Sequence, residues 1–373
     1  MQGAAPAPHA APVVPHDDDV VRVLREDGSL DPAHDTGPGL DGEAILAIYR
    51  AMVRVRVLDE RLVALQRQGR IGFHIGSQGE EAAILGAAAA LRASDWIFPC
   101  YREFGAALWR GMPLASYVNH MFGNESDPMK GRQMPDHYGA RIAKFTSISS
   151  PVGTQITQAA GFAWAAKIQK DDVATLVYFG EGATSAGEFH NGANFAGVFK
   201  VPLVLFCRNN GWASGTPAEK QSATPSFAAK GVAYGIPGIR CDGNDLFAVL
   251  KVTRDAIARA ARGEGPTLIE ALTARMPPTR EGTKDVEAWK RRDPIARVRR
   301  HLEARGAWSE AKQREHESAS LAEIDAAIEA AEKLAPPALP TMFDDVFAAP
   351  TSTLEEQRAE LLASPRATGL AKP

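Results

Sequence analysis

Two apolar runs in the middle of this 373-residue chain, each followed by a short polar cluster, constrain its fold more than any other feature. The first run, Val173 to Phe179, ends at Gly180-Glu181-Gly182. The second run, Val201 to Cys207, ends at Arg208-Asn209-Asn210-Gly211, and a helical stretch lies between the two. The pattern predicts an α/β fold in which two parallel strands are joined by one helix in a right-handed crossover. Both clusters then lie at the carboxyl ends of adjacent strands, where open α/β sheets bind ligands.

The residue types in these clusters suit a diphosphate bound with a metal ion. Glu181 and an Asn amide oxygen are hard ligands, and Mg²⁺ commonly completes its shell of about six oxygens with substrate phosphates. Gly180 and Gly182 allow the backbone to approach a ligand closely, and the helix that follows offers unpaired N–H groups to anionic oxygens. Arg208 adds a positive charge that can bind phosphate through two hydrogen bonds.

Three other interpretations of the first cluster are open. A Rossmann fingerprint requires Gly-x-Gly-x-x-Gly, but position 185 is Ser, and Arg208 stands where an acidic residue is usual. A P-loop requires Lys-Ser/Thr after its second glycine, and this chain has Glu188-Phe189 there. An ordinary βα turn explains Gly-acid-Gly alone, but not the paired Asn residues that follow the second strand.

Composition excludes several classes of protein. The net charge of −3 and the pI of about 6.3 give no support for a nucleic-acid-binding surface. The three cysteines, Cys100, Cys207 and Cys241, are too few and too scattered for a disulfide framework or a zinc site. We expect them to remain reduced in a cytosol-like compartment.

The sequence also predicts a cytoplasmic protein without a membrane segment. The longest uncharged apolar run, Ala82 to Leu91, has about half the length that a bilayer-spanning helix needs. The first 16 residues are rich in Ala and Pro and contain no Lys or Arg, unlike a signal or transit peptide.

Along the chain, composition predicts a flexible arm over residues 1–38, a main domain over 39–335 and a C-terminal extension over 336–373. Apolar residues at three- and four-residue steps predict a long helix from Gly42 to Gln68. The small residues from Ala159 to Ala166 predict a buried helix, and Thr267 to Leu272 is typical of a last strand.

The spacing of the central clusters resembles the thiamine-diphosphate motif, since Gly180-Glu181-Gly182 is followed after 26 residues by Asn209-Asn210. The surrounding sequence resembles the alpha subunit of the E1 component of branched-chain 2-oxo acid dehydrogenases, from about residue 40 to about residue 360. The segments that carry this resemblance are Lys130-Gly-Arg-Gln-Met-Pro135, His137-Tyr138-Gly139, Ser149-Ser150-Pro151, Thr154-Gln155 and Cys207-Arg-Asn-Asn-Gly211.

The resemblance implies a three-layer thiamine-diphosphate-binding fold, with a mostly parallel sheet flanked by helices and with helical N- and C-terminal extensions. It implies oxidative decarboxylation of a small 2-oxo acid, with acyl transfer to a lipoyl group on the E2 core. It also implies a separate beta subunit in an α₂β₂ heterotetramer, thiamine diphosphate and Mg²⁺ as cofactors, and K⁺ as a further ion.

Family motifs assign roles to particular residues. Glu181, Asn210 and the Trp212 carbonyl are expected to bind Mg²⁺, and Phe73 and His74 to line the substrate pocket, with His74 a candidate catalytic residue. Cofactor contacts are expected from Tyr101, Arg102, Ser150, Val152, Gly182, Ala183 and Arg208. A potassium site is expected from Ser149, Pro151, Thr154 and Gln155. His137 receives no defined role.

The sequence departs from the family after the last predicted strand. E1 alpha subunits usually carry a Gly-His-Ser-Thr-Ser-Asp-Asp loop there, whose His reaches the cofactor diphosphate. The corresponding segment, Arg275 to Asp285, contains no His and has two prolines, Pro277 and Pro278. Two alternatives therefore stand beside a branched-chain enzyme: a pyruvate- or acetoin-type E1 alpha subunit, and a subunit that binds the cofactor without catalysis.

Overall fold

The computed structural model describes residues 19–32, 42–274 and 290–364. Its strands are β1 (Val20–Val21), β2 (Trp96–Phe98), β3 (Thr175–Gly180), β4 (Leu203–Asn209), β5 (Trp212–Ala213), β6 (Thr216–Pro217), β7 (Gly238–Asp242) and β8 (Thr267–Leu272). Its helices are α1 (Gly42–Arg67), α2 (Glu81–Ala89), α3 (Phe104–Trp109), α4 (Leu114–Phe122), α5 (Thr154–Gln169), α6 (Gly187–Phe199), α7 (Leu246–Ala261), α8 (Pro294–Ala304), α9 (Glu310–Glu332) and α10 (Ser352–Ala363). The segment Arg275 to Asp285, the rest of the predicted arm and residues 365–373 lie outside the described residues.

Six strands form one sheet in the order β1-β7-β8-β4-β3-β2, and every neighbouring pair is parallel. The predicted crossover is confirmed, because β3 and β4 pair directly and α6 connects them. Parallel sheets are covered on both faces, which explains why these strands are continuous apolar runs. The predicted α/β fold with a mostly parallel sheet is therefore confirmed.

Side chains alternate between the two faces along the central strands. In β3, Tyr178 packs into a large core with α1, α2 and α7, while Phe179 packs with α5 and α6 on the opposite face. In β4, Phe206 and Leu205 divide in the same way. Burying each such side chain contributes about 1.5–3 kcal/mol, so the two cores hold the strand ends in a fixed arrangement.

Residues 19–32 are part of the fold, so the flexible arm predicted over residues 1–38 is wrong for this stretch. Strand β1 extends the sheet beside β7. The backbone N–H groups of Val23 and Leu24 donate to the Asp245 carboxylate at 2.6 and 2.7 Å. Composition missed this attachment because its partner, Asp245, lies more than 220 residues further along the chain.

Two helix predictions had different outcomes. The predicted helix Gly42 to Gln68 corresponds to α1 and ends one residue earlier. The small-residue helix lies within α5, but only one of its faces is buried. The opposite face carries Trp164 and Ile168, and Ile168 is 61% exposed.

Candidate functional site

The carboxyl ends of β2, β3 and β4 bring the predicted polar clusters to one edge of the sheet. Gly180 is the register partner of Arg208, so Glu181 and Asn209-Asn210 follow neighbouring strands at the same level. Strand β2 pairs with β3 on the other side, and Tyr101-Arg102 follows it. The expectation that these segments meet is confirmed by the sheet order.

Glu181 opens a short 3₁₀ turn directly after β3 and is 1% exposed. Burial raises the pKa of its carboxyl to about 7, and the nearby Glu80 adds to the effect. The backbone N–H of Asn210 and the charge of Arg208 act in the opposite direction. Its Oε1 atom accepts no hydrogen bond from any described residue. A buried carboxylate oxygen that accepts no hydrogen bond is available to coordinate a metal ion.

Asn210 and Trp212 form a tight turn beside Glu181. The Asn210 amide oxygen accepts from the Trp212 N–H at 3.1 Å, and Gly211 between them has a φ of 85°. The Asn210 side-chain nitrogen donates to Glu80 at 3.2 Å. The turn holds an amide oxygen and a backbone carbonyl next to one carboxylate, a donor set that fits Mg²⁺.

The described residues contain no group of three or more His, Cys, Asp and Glu side chains placed to hold a metal ion. A Mg²⁺ ion at Glu181 would therefore depend on one carboxylate together with amide, carbonyl and phosphate oxygens. That composition is common for Mg²⁺ sites that share the ion with a phosphate ligand.

Gly182 and Ala183 complete the turn. A Cβ atom on Gly182 would lie 2.5 Å from the Ala213 Cβ, so this position packs directly on the loop that follows Trp212. Ala183 is buried. The turn and the Asn210–Ala213 segment are therefore in close contact, with no space for a larger side chain at position 182.

Arg208 is buried at this edge of the sheet, and its contact with a diphosphate stays a prediction. Its guanidinium is 3% exposed and forms ion pairs with Glu80 and Glu103. Burial works against the charged form, but Glu103 and Glu80 hold the pKa of Arg208 above its usual range. Its buried Nε atom has no hydrogen-bond partner among the described residues.

Arg102 is better placed to meet an anion. Its guanidinium is half-buried, donates to the Gly76 carbonyl at 2.5 Å and lies 5.4 Å from the centre of the Tyr101 ring. A backbone carbonyl leaves the positive charge largely uncompensated, in contrast to the paired guanidinium of Arg208. Arg102 is therefore the stronger cationic candidate at this edge.

His74 is buried between two carboxylates, and its predicted role at the substrate pocket stays a prediction. Its side chain is fully buried between two carboxylates, with Nε2 2.8 Å from Asp59 and Nδ1 3.2 Å from Asp136. Burial lowers the pKa of His74, but the hydrogen bonds that its ring donates to Asp136 and Asp59 outweigh burial and raise the pKa to about 9. The ring is therefore an imidazolium at neutral pH.

Phe73 is half-buried, with its ring 6.2 Å from that of His137. The role in a substrate pocket stays a prediction for Phe73. The contrast with His74 arises because neighbouring residues of an extended loop point in opposite directions.

The segment from Ser149 to Gln155 lies against the Glu181 turn. A Cβ atom on Gly153 would lie 3.2 Å from the Ala186 Cβ. The Ser150 hydroxyl is 2.6 Å from His137 Nε2, and Val152 is 55% exposed beside it. The predicted potassium ligands also gather here: Thr154 Oγ1 donates to the Pro151 carbonyl at 3.0 Å, and Gln155 Nε2 donates to the Tyr178 carbonyl at 3.0 Å.

Sequence reasoning missed Glu80 and Glu103, both fully buried and both paired with Arg208. One signal was present: Glu80-Glu81 begins an otherwise apolar helix, and acidic residues at a buried helix start need a cation. The Asp59–His74–Asp136 arrangement left no such signal, because its three members are separated along the chain.

Among the helices of the described ranges, none combines the length and apolarity that crossing a bilayer requires.

A cleft of about 830 Å³ adjoins the site and is lined by Asn209, Asn210 and Thr273 together with residues of the N-terminal segment.

Comparison with known proteins gives consistent matches. A family model described as "Dehydrogenase E1 component" matches residues 49–339. The chain is 41% identical over 349 residues to 2-oxoisovalerate dehydrogenase subunit alpha 1, mitochondrial, of Arabidopsis thaliana, covering 91% of this chain and 74% of the relative. It is 40% identical over 352 residues to the alpha subunit of Bos taurus and 39% identical over 352 residues to that of Homo sapiens. These two alignments cover 92% of this chain and 77% and 79% of the relatives.

Proposed function

Since the chain belongs to the dehydrogenase E1 component family, we propose that it is the alpha subunit of a branched-chain 2-oxo acid dehydrogenase E1 component. With a beta subunit it oxidatively decarboxylates the 2-oxo acid and transfers the acyl group to the lipoyl group of E2. The relatives named as 2-oxoisovalerate dehydrogenases support a branched-chain substrate over pyruvate or acetoin. The buried Glu181 carboxylate with its unpaired Oε1 is the observation that carries the cofactor part of this proposal.

The family implies thiamine diphosphate, and the edge residues fit its diphosphate with Mg²⁺. Glu181, Asn210 and the Trp212 carbonyl would hold the ion. Arg102, Tyr101 and Arg208 would bind the diphosphate, and Gly182 and Ala183 would line its path. When bound, the cofactor supplies the electron sink that lets CO₂ leave, while the protein binds and orients it.

The opposite end of the cofactor would meet the exposed face of the Ser149–Gln155 segment. We expect Ser150 and Val152 to contact the aminopyrimidine ring; this is supported by the exposure of both residues and by the packing of their segment on the Glu181 turn. Phe73 would contribute to the substrate pocket. The hydroxyl, carbonyl and amide oxygens of Ser149, Pro151, Thr154 and Gln155 form the proposed potassium site.

The partner subunits are proposed from family membership and from an exposed apolar patch. On the outer faces of α5 and α6, Trp164, Ile168, Phe195, Val198 and Phe199 form this patch. The Trp164 and Phe195 rings are 5.3 Å apart, the Phe195 and Phe199 rings are 4.5 Å apart, and Val198 is 66% exposed. Contiguous apolar surface of this kind is typical of subunit interfaces. We assign it to the α₂β₂ assembly with a beta subunit, which in turn meets the E2 core.

A cofactor-binding subunit without catalysis is the second candidate, favoured by the absence of His between Arg275 and Asp285. This segment lies outside the described residues. The cytoplasmic location stays a prediction, and the relatives from Arabidopsis thaliana, Bos taurus and Homo sapiens carry "mitochondrial" in their names.

The test is an assay of the chain purified with its beta subunit, Mg²⁺ and thiamine diphosphate. We expect CO₂ release from 2-oxoisovalerate at a kcat/KM at least about tenfold above that for pyruvate. Preferential CO₂ release from pyruvate would identify pyruvate, and not a branched-chain 2-oxo acid, as the substrate. No release from any 2-oxo acid, with thiamine diphosphate bound, would leave the non-catalytic subunit as the function.

A further inference from the structure

His137 contacts Ser150, a proposed cofactor residue, yet the proposed function gives His137 no role. Its Nδ1 atom is 2.9 Å from the Pro135 carbonyl oxygen and its Nε2 atom is 2.6 Å from the Ser150 hydroxyl oxygen. The imidazole is almost fully buried, whereas Ser150 is exposed. The pair thus joins a buried ring to an exposed hydroxyl.

The hydrogen-bond partners determine the tautomer of the neutral ring. A carbonyl oxygen can only accept, so Nδ1 must carry the hydrogen and donate it to Pro135. Nε2 is then an acceptor, and the Ser150 hydroxyl donates to it. The direction of the Ser150 O–H bond is therefore set by His137.

A second chain of hydrogen bonds holds the His137 backbone. Its N–H donates to His120 Nε2 at 3.2 Å, and His120 Nδ1 lies 3.0 Å from the buried Asp127 carboxylate. Asp127 also accepts from the backbone N–H groups of Met129 and Gly131, at 2.9 and 2.8 Å. The loop that carries His137 is thus connected by hydrogen bonds, through His120, to the buried carboxylate of Asp127.

The residue before His137 adds a third restraint. Asp136 is fully buried and has a φ of 60°, a left-handed conformation that non-glycine residues rarely adopt. Its carboxylate accepts from the Ile75 N–H at 2.7 Å and from the Tyr117 hydroxyl at 2.8 Å, in addition to its contact with His74. Strained residues fixed in this way are concentrated at functional sites.

We propose that His137 is a positioning residue for Ser150. Because the only hydrogen of the Ser150 hydroxyl is donated to His137, the oxygen presents only lone pairs to any further partner. It therefore accepts a hydrogen bond from a ligand N–H group, such as the exocyclic amine of a bound aminopyrimidine. This inference rests on the proposed function. It assigns Ser150 as the acceptor and the ligand as the donor of the hydrogen bond between them.

A pair of substitutions separates this role from a structural one. In His137→Asn, the side-chain amide can still donate to Pro135 but is too short to reach Ser150. In His137→Gln, the longer amide can place its oxygen near the position of Nε2 and accept from Ser150. The two side chains differ by one methylene group. We expect the contact with Ser150 to be lost in His137→Asn and kept in His137→Gln.

The assay uses the chain with its beta subunit and measures both turnover of 2-oxoisovalerate and the near-ultraviolet circular dichroism of bound thiamine diphosphate. We expect His137→Asn to lower kcat about 10- to 100-fold with KM changed less than about twofold, and to alter the dichroism of the bound cofactor. His137→Gln should recover kcat to within about fivefold of the unmodified chain and restore the spectrum. Ser150→Ala should match His137→Asn, and combining the two should add less than about twofold.

The matched control is His316→Gln. His316 lies on α9 and contacts the Arg50 carbonyl, so its replacement should leave both measurements unchanged. A kcat and spectrum like those of the unmodified chain in either His137→Asn or Ser150→Ala would overturn the positioning role. So would a full additional loss when His137→Asn is combined with Ser150→Ala. An unmodified complex that neither binds thiamine diphosphate in calorimetry nor releases CO₂ would overturn the proposed function and this inference with it.

Discussion

Glu80 Oε1 accepts a hydrogen bond from Asn210 Nδ2 at 3.2 Å, so a buried carboxylate orients the amide proposed to bind Mg²⁺. The same oxygen accepts from Thr273 Oγ1 at 3.2 Å, and the other carboxylate oxygen is paired with Arg208. Through Arg208 and Glu103, Glu80 thus links the end of β4 to the loop that follows β2. Its role is to fix the polar edge of the sheet before any ligand binds.

Replacing Glu80 with Ala should destabilise the fold and weaken the proposed metal site. Breaking a buried ion pair costs about 3–5 kcal/mol, and because Arg208 keeps Glu103 as a counter-ion, we expect a loss at the lower end of this range, about 3 kcal/mol. The free energy of unfolding in urea should fall by that amount, and Mg²⁺-dependent binding of thiamine diphosphate should weaken. Glu219→Ala, at an exposed glutamate, is the control and should change stability by less than about 0.5 kcal/mol. Equal stability of the two variants would show that Glu80 is not a structural counter-ion.

The Asp59–His74–Asp136 arrangement should make stability depend on pH. The folded pKa of about 9 lies above the usual value of 6.5, so His74 stabilises the fold fully below pH 6.5. This contribution is lost as the pH rises from 6.5 to 9, because the unfolded chain releases the proton first. The full effect is about 3 kcal/mol, since raising the pKa by one in the folded state corresponds to about 1.4 kcal/mol.

The measurement compares urea unfolding of the unmodified chain and of His74→Gln at pH 6 and at pH 9.5. The stability advantage of the unmodified chain should shrink between these two conditions. An advantage that stays constant across this range would mean that His74 is not held as an imidazolium.

Gly182→Ala should impair cofactor binding through packing alone. The new methyl group would lie 2.5 Å from the Ala213 Cβ and would push apart the Glu181 turn and the segment after Trp212. We expect affinity for thiamine diphosphate with Mg²⁺ to fall at least about tenfold in calorimetry, since small displacements of ligands are costly. Gly187→Ala is the matched control, because a Cβ there meets no atom within 4 Å. The packing argument fails if both variants bind equally well.

The apolar patch on α5 and α6 should be required for assembly. Ile168→Asp places a charge in the patch, which would be buried without a partner in a subunit interface. We expect loss of co-purification with the beta subunit while the isolated chain keeps its circular dichroism. Leu321→Asp, at an exposed apolar residue of α9, should assemble normally. A stable complex with Ile168→Asp would exclude this surface from the interface.

The sequence was sufficient for those features that depend on neighbours along the chain. Apolar runs that end in Gly-acid-Gly and Arg-Asn-Asn-Gly predict both strand ends, and the crossover rule brings Glu181 and Asn210 together. The spacing of apolar residues in α1 gives its length to within one residue.

The sequence was insufficient to predict contacts between side chains that are distant along the chain. The carboxylates that surround His74 and Arg208 come from other elements, so neither burial nor pairing could be predicted for them. The same holds for residues 19–32, whose attachment depends on β7 and Asp245. One exposed face of α5 was also missed, because small residues allow close packing without showing which side is packed.

The central claim is that Glu181 binds the Mg²⁺ that holds a diphosphate at the ends of β3 and β4. Calorimetric titration of thiamine diphosphate into the chain with its beta subunit, with Mg²⁺ and then with EDTA, tests it most directly. Glu188→Gln, at an exposed glutamate of α6, is the control. We predict Mg²⁺-dependent binding in the unmodified chain and the control, and binding at least about 100-fold weaker in Glu181→Gln, since a charged ligand to the metal is lost. Mg²⁺-dependent binding of unchanged affinity in Glu181→Gln would contradict the claim.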